Sequence, residues 1–209
     1  TDRVADLPFN VAMVEHPDFG ATDLSTLEVI MSGGTTVPQE VVRLVESRFG
    51  ARFGAIFGQT EVSGVICQSF PDDSTEDKTE RVGQPLEHTE IKVVDAQEEV
   101  LPCGATGQIM VRGFGVTLGY FDAPQQTAEA ITPDGWLRTG DLGVLDDRGY
   151  LQVTGRLKDV IIRGGENVYP REIEDRLHTH PAVADVAVVG VPDELSLIHI
   201  SEPTRRYAI

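Results

Sequence analysis

Apolar positions near the start of the chain fall into two alternating patterns. Leu27-Glu28-Val29-Ile30-Met31 is a short apolar run that predicts a strand, and Ser32 to Pro38 follows it as a glycine-containing turn. Val41, Leu44, Val45 and Phe49 then recur at helical spacing, with Gly50 placed to stop the helix. Ala51 to Phe57 is a second strand. Strand, turn, helix and strand in that order predict a parallel α/β layer. Ligands of such sheets sit beyond the carboxyl ends of the strands, where Ser32-Gly33-Gly34 and Gly58-Gln59-Thr60-Glu61 fall. Thr1 to Phe19, ahead of this layer, reads as a helix or the end of a loop.

The pattern then changes. Pro71 to Glu80 is polar and acidic and predicts an exposed loop. From Arg81 to Val153 short strands alternate with Gly and Pro: Glu90 to Val94, Gln108 to Val111, Gly143 to Leu145 and Tyr150 to Val153. Asp146-Asp147-Arg148-Gly149 is a hairpin turn between the last two, and Pro124 to Ile131 is a short helix. These strands predict an antiparallel β subdomain. Beyond it, Val160 to Ile162 reads as a strand, and Gly164-Gly165 permit angles that a side chain forbids. Pro170 suits the first turn of a helix, Glu172 and Glu174 lie near its positive end, and Ile173 and Leu177 are one turn apart. Val183 to Val191 predicts a further strand.

Composition narrows the classes of function. A chain of 209 residues with 40% hydrophobic content can bury a core, and no run approaches the length of a membrane span. A formal net charge of -17 argues against nucleic acid or an anionic membrane as partner. Such a chain binds phosphate groups only with local cations, backbone N–H groups or Mg²⁺. Cys67 and Cys103 stand in no metal-ligand spacing, which fits a reducing cytosol, so a cytoplasmic location is expected. His178 and His180 lack a third ligand nearby and read as solvated helix-end residues. The chain opens on Thr1-Asp2-Arg3 rather than Met, so it is expected to be a fragment.

Several blocks carry a resemblance. Gly155-Arg156-Leu157-Lys158-Asp159 through Gly164-Gly165-Glu166-Asn167-Val168-Tyr169-Pro170-Arg171-Glu172-Ile173-Glu174 resembles the hinge signature of the adenylate-forming superfamily, in wording most similar to its acyl-CoA synthetase branch. Phe57-Gly58-Gln59-Thr60-Glu61 resembles the family's aromatic-Gly-x-Thr-Glu motif, and Trp136-Leu137-Arg138-Thr139-Gly140-Asp141 its aromatic-x-x-Thr-Gly-Asp block. Ser32-Gly33-Gly34-Thr35-Thr36 resembles the segment lining the adenine and acyl pockets. Gly107 to Gly113 is similar to a structural Gly-Glu-Leu block, with Gln108 in place of the Glu.

The resemblance implies three segments. Residues 1–157 would be the C-terminal part of a large AMP-binding domain, α/β in class, in which the end of a parallel α/β subdomain is joined to an antiparallel β subdomain. Residues 158–194 would be the hinge, with Lys158 at a position the family fills with Asp or Lys, and the start of a small α+β C-terminal domain. Residues 195–209 resemble the translation of a sequencing-library adaptor and are expected to be an artefact tail. The family's phosphate loop would lie upstream of Thr1 and its adenylation lysine beyond Glu194, so the fragment alone is expected to be inactive.

The implied chemistry is ATP-dependent activation of a carboxylic acid to acyl-AMP and then to acyl-CoA, with ATP, Mg²⁺ and CoA. The wording around Gly58-Gln59-Thr60-Glu61 and Val82-Gly83-Gln84-Pro85 is most similar to medium- or long-chain fatty-acyl members. Phe57 offers a stacking face for adenine, Gly58 a close backbone approach, Thr60 a hydroxyl for an α-phosphate oxygen and Glu61 a carboxylate for Mg²⁺. Gln59 falls inside the same ATP/AMP motif, as do Gly33, Gly34 and Thr35 in theirs. Asp141 can accept from both ribose hydroxyls, Arg156 can reach ribose or phosphate, and Gly164 and Gly165 would lie near the CoA path. Simpler readings stand beside these: Thr60 as a helix N-cap, Asp141 as a turn residue capping a strand, Arg156 in a surface salt bridge. Two other functions also stay open, an amino-acid adenylation domain loading a carrier protein and a non-catalytic nucleotide-binding relative. The sequence specifies no oligomeric state.

Overall fold

In the computed structural model, which describes residues 3–4, 7–33, 37–163, 166–178, 180, 182–183 and 186–191, the first apolar runs become the centre of a five-stranded sheet. Its strands β1 (Arg3–Val4), β2 (Val29–Gly33), β3 (Arg52–Gln59), β4 (Gly64–Gln68) and β5 (Gln84–Pro85) are neighbours in that order. β1, β2 and β3 are parallel, as expected for strands joined through helices, whereas β4 and β5 pair antiparallel. Helix α1 (Leu7–Glu15) connects β1 to β2, and α2 (Gln39–Phe49) connects β2 to β3.

α2 ends at Gly50, whose φ of 68° is the left-handed angle that glycine adopts without penalty. Its buried stripe is Val42, Val45 and Phe49, packed with Ile30 and Phe53. Leu44, expected in that stripe, is exposed. It lies about 100° round the helix from Val45, so the stripe runs through Val42 instead.

A second sheet of four antiparallel strands follows: β6 (Thr89–Val94), β7 (Gly107–Gly113), β8 (Leu137–Leu145) and β9 (Leu151–Arg156). The β8–β9 turn forms as expected, with Asp146 Oδ1 accepting from the backbone N–H groups of Arg148 at 2.9 Å and Tyr150 at 2.8 Å. Ile109, Val111, Leu137 and Leu151 of this sheet bury against Ile66 and Cys67 of β4. The two sheets therefore share one core.

Two expectations fail between the sheets and beyond them. The stretch expected to be an exposed loop contains helix α3 (Thr75–Glu80), in which Asp77 and Lys78 are buried. Ser74 is its N-cap, accepting the Asp77 N–H at 3.1 Å, a signature masked by the polar composition. Lys78 Nζ is held by Glu46 at 3.1 Å and the Pro71 carbonyl at 2.6 Å. After β9 a single 3₁₀ turn (Leu157–Asp159) leads into the hairpin β10 (Ile161–Arg163) and β11 (Glu166–Val168), then α5 (Pro170–His178). α4 (Pro124–Ala130) lies earlier, between β7 and β8. The described residues of the expected 183–191 strand form no strand. Strands are made by ladder pairing, and there the Val188 N–H donates to Glu174 Oε1 at 2.7 Å instead. Residues 195–209 lie outside the described residues. No described helix is long and apolar enough to cross a membrane.

Asp77 ties α3 to the β8–β9 turn. Its Oδ1 accepts from Arg148 at 2.7 Å and from Arg81 at 3.1 Å. The bond from Arg148 is the main influence holding its carboxyl below the usual range. Asp77→Ala should cost about 2 kcal/mol in urea unfolding at pH 7. The figure is moderate because Arg148 is 49% exposed and can re-solvate. A lowered carboxyl contributes stability above its unfolded value, so the difference between parent and variant should fade as the pH drops below about 4. A difference that persists unchanged at pH 3 would contradict this.

Candidate active site

The carboxyl end of β3, the end of β9, the turn after it and α5 surround a cavity of about 770 Å³. Phe57, Gln59, Asp141, Arg156, Lys158 and Arg171 all face it. Antiparallel register sets Asp141 of β8 opposite Arg156 of β9, so the hairpin does return the chain to the same end. Arg156 Nε lies 3.3 Å from Asp141 Oδ1. Gln59, arriving from the other sheet, donates from Nε2 to Asp141 Oδ2 at 2.6 Å and to the Thr139 carbonyl at 2.9 Å. Thr139 Oγ1 accepts the Asp141 N–H at 3.1 Å and donates to the Ile109 carbonyl at 2.8 Å.

Asp141 is only 5% exposed, and burial pushes its carboxyl up. The bond from Gln59 and the charges of Arg156 and Arg171 oppose that rise. A raised carboxyl costs stability when ionised, a cost relieved as the pH falls through its folded-state value. Carboxyls perturbed in this way occur at binding sites and also in structural ion-pair networks.

Thr60 and Glu61 do not line this cavity. They lie in the 3₁₀ turn Thr60–Val62, just past Gln59. The N-cap of that turn is Gln59 and no side chain caps it, so the simpler reading of Thr60 as a cap does not hold. Glu61 is gripped by the loop after β7: its carbonyl accepts from Thr117 N–H at 2.7 Å, and its Oε1 from the Tyr120 hydroxyl at 3.0 Å. That bond is the first cause of the Tyr120 phenol lying above its usual range. One carboxylate with lone pairs beyond those that Tyr120 uses suits Mg²⁺, which takes one or two protein carboxylates together with substrate phosphates. Among the described residues no cluster of three or more His, Cys, Asp or Glu could hold a metal by itself.

Two of the glycines have a steric role in the sheet that their motif does not express. Gly58 is needed by the sheet: a Cβ there would collide with the Gly64 carbonyl oxygen of β4 and stand 2.9 Å from Val65 Cα. Gly33 ends β2 opposite Ile56, whose carbonyl oxygen would meet its Cβ. Gly34, Thr35, Gly164 and Gly165 lie outside the described residues. Lys158 is exposed in the 3₁₀ turn at the mouth of the cavity. Sequence reasoning missed three participants. Thr139 and Arg171 lay inside quoted motifs without a role, whereas Tyr120 meets Glu61 through a contact that no local pattern encodes.

Comparison with known proteins places the chain among relatives. The family described as AMP-binding enzyme matches residues 8–121, and the AMP-binding enzyme C-terminal domain matches residues 172–199. YngI of Bacillus subtilis (strain 168) is 49% identical over 185 residues, 88% of this chain and 34% of that protein. The mitochondrial medium-chain acyl-CoA ligase ACSF2 of Danio rerio is 45% identical over 186 residues, 88% of this chain and 31% of its own. The structure of O-succinylbenzoate coenzyme A synthetase (MenE) from Bacillus subtilis in complex with AMP superposes with a TM-score of 0.80 at 33% identity, covering 94% of this chain and 39% of that one. The chain thus spans about a third of the length of the curated relatives it matches.

Proposed function

Because the chain belongs to the AMP-binding enzyme family, we propose that the protein carrying it activates a carboxylic acid with ATP and passes the acyl group to CoA. The substrate carboxylate attacks the α-phosphorus and pyrophosphate leaves, giving acyl-AMP. The CoA thiol then attacks the acyl carbon, AMP leaves, and the thiol proton is lost to solvent. Both steps rest on positioning and charge stabilisation.

The observation that carries this reading is the buried Asp141 carboxylate, braced by Gln59 and Arg156 at the wall of the cavity. In it Asp141 takes the ribose hydroxyls, Arg156 the ribose or phosphate, and Phe57 the adenine face. Gly33, Gly34 and Thr35 belong to the ATP/AMP-binding set. Thr60 binds the α-phosphate, and Glu61 would hold Mg²⁺, which supplies charge neutralisation at the phosphates. Gly164 and Gly165 belong to the CoA-binding set. Lys158 is the hinge between the large domain, through residue 157, and the small one that follows. The finer substrate is a medium- or long-chain fatty acid, supported by the name of the Danio rerio relative. The location is cytoplasmic.

The test is ATP–pyrophosphate exchange by a complete enzyme containing this segment. Asp141→Ala should weaken ATP use by about 1–3 kcal/mol, the cost of leaving ribose hydroxyls unpaired in a closed site. An unchanged ATP dependence would remove Asp141 from the site and with it the main support for the function.

A further inference from the structure

We propose that Gln59 is a positioning residue, which holds the Asp141 carboxylate across the seam between the two sheets and does not itself bind the nucleotide. The proposal rests on the reading of Asp141 as the ribose ligand given above. Gln59 is the last residue of β3, and Asp141 lies 82 positions later on β8. A primary amide has two N–H donors. Both of those of Gln59 point inward, one to Asp141 Oδ2 and one to the Thr139 carbonyl.

The geometry assigns Gln59 the larger share of the orienting. The terminal torsion of an aspartate is broad and has no sharp intrinsic minimum, so its partners decide where the two oxygens point. One partner is Gln59 at 2.6 Å, anchored at its other hydrogen to the backbone. The other is Arg156 at 3.3 Å, whose side chain is 62% exposed and free to trade its contact for water. Two ribose hydroxyls can be accepted together only by a carboxylate held in one plane. The same bond is the first of the influences resisting the upward push of burial on Asp141, ahead of Arg156 and Arg171. Among the described residues, Lys158, Asp159 and Glu174 are the other charged groups that face the cavity.

The experiment uses the complete enzyme and two probes, AMP and 2′,3′-dideoxy-AMP, titrated calorimetrically. Gln59→Leu should weaken AMP binding about tenfold and leave the dideoxy nucleotide unchanged. That loss should vanish in an Asp141→Ala background, because a residue acting through Asp141 has nothing left to act on. The acid limb of the AMP affinity profile should also move to higher pH. Gln59→Met keeps the side-chain length and carries the same expectation if Gln59→Leu does not fold. Equal weakening of both nucleotides would overturn the proposal, whether through direct contact or through general loss of structure. So would a parent enzyme indifferent to the ribose hydroxyls. A parent that prefers AMP to its dideoxy analogue yet makes no acyl-AMP would remove the proposed activity and leave the brace standing.

Discussion

Gly58→Ala should destabilise the fold by about 3 kcal/mol or more, a fall in melting temperature of about 6–12 °C for a chain of this size. Gly58 sits at the register shift where β3 meets β4. The added methyl would run into the Gly64 carbonyl oxygen and crowd Val65 Cα, both backbone atoms that cannot swing aside as a side chain would. Relief requires β4 to move away from β3. That strand carries Ile66 and Cys67, which pack with the second sheet in one core. The next residue is Gln59, so nucleotide affinity should fall along with stability. Gly20→Ala serves as the control, because a Cβ there meets nothing within 4 Å. A Gly58→Ala protein that melts within about a degree of the parent would show that the strands part at little cost, and the structural reading of this glycine would be lost.

Lys158→Pro should separate the two half-reactions of the proposed enzyme. Proline locks φ near about -65° and disfavours helical angles at the residue before it, here Leu157. In the structure Leu157 and Lys158 belong to one 3₁₀ turn between β9 and β10. A hinge is a few positions that absorb a large backbone change, and a frozen φ removes that freedom. Acyl-CoA production should therefore fall at least about tenfold further than adenylate formation, a difference of about 1.4 kcal/mol in barrier. Pyrophosphate release and acyl-CoA formation, measured in the same variant, give the comparison. Equal losses in both would remove Lys158 from the hinge.

Much of the architecture was legible along the chain because it depends on local periodicity. The β2–α2–β3 unit, the β8–β9 hairpin and the start of α5 at Pro170 follow from apolar spacing, a stop at Gly50, an Asp-rich turn and a proline. α3 was hidden because its buried members, Asp77 and Lys78, are charged, and partners as distant as Arg148 and Glu46 help make their burial tolerable. The described residues of 183–191 form no strand because an apolar run supplies propensity but not a pairing partner.

The sequence by itself determined which residue types meet at the site: an aromatic, a glycine, an amide, a carboxylate and an arginine, in blocks ordered along the chain. Tertiary structure alone decided what several of them do. Gly58 is required by a neighbouring strand 6 and 7 positions away, Gln59 turns to an aspartate 82 positions away, and Tyr120 reaches Glu61 across 59. The reason is that periodicity records which face of an element is apolar, whereas hydrogen bonds and steric limits arise from where separate elements meet. No spacing rule along one strand encodes the seam between two sheets.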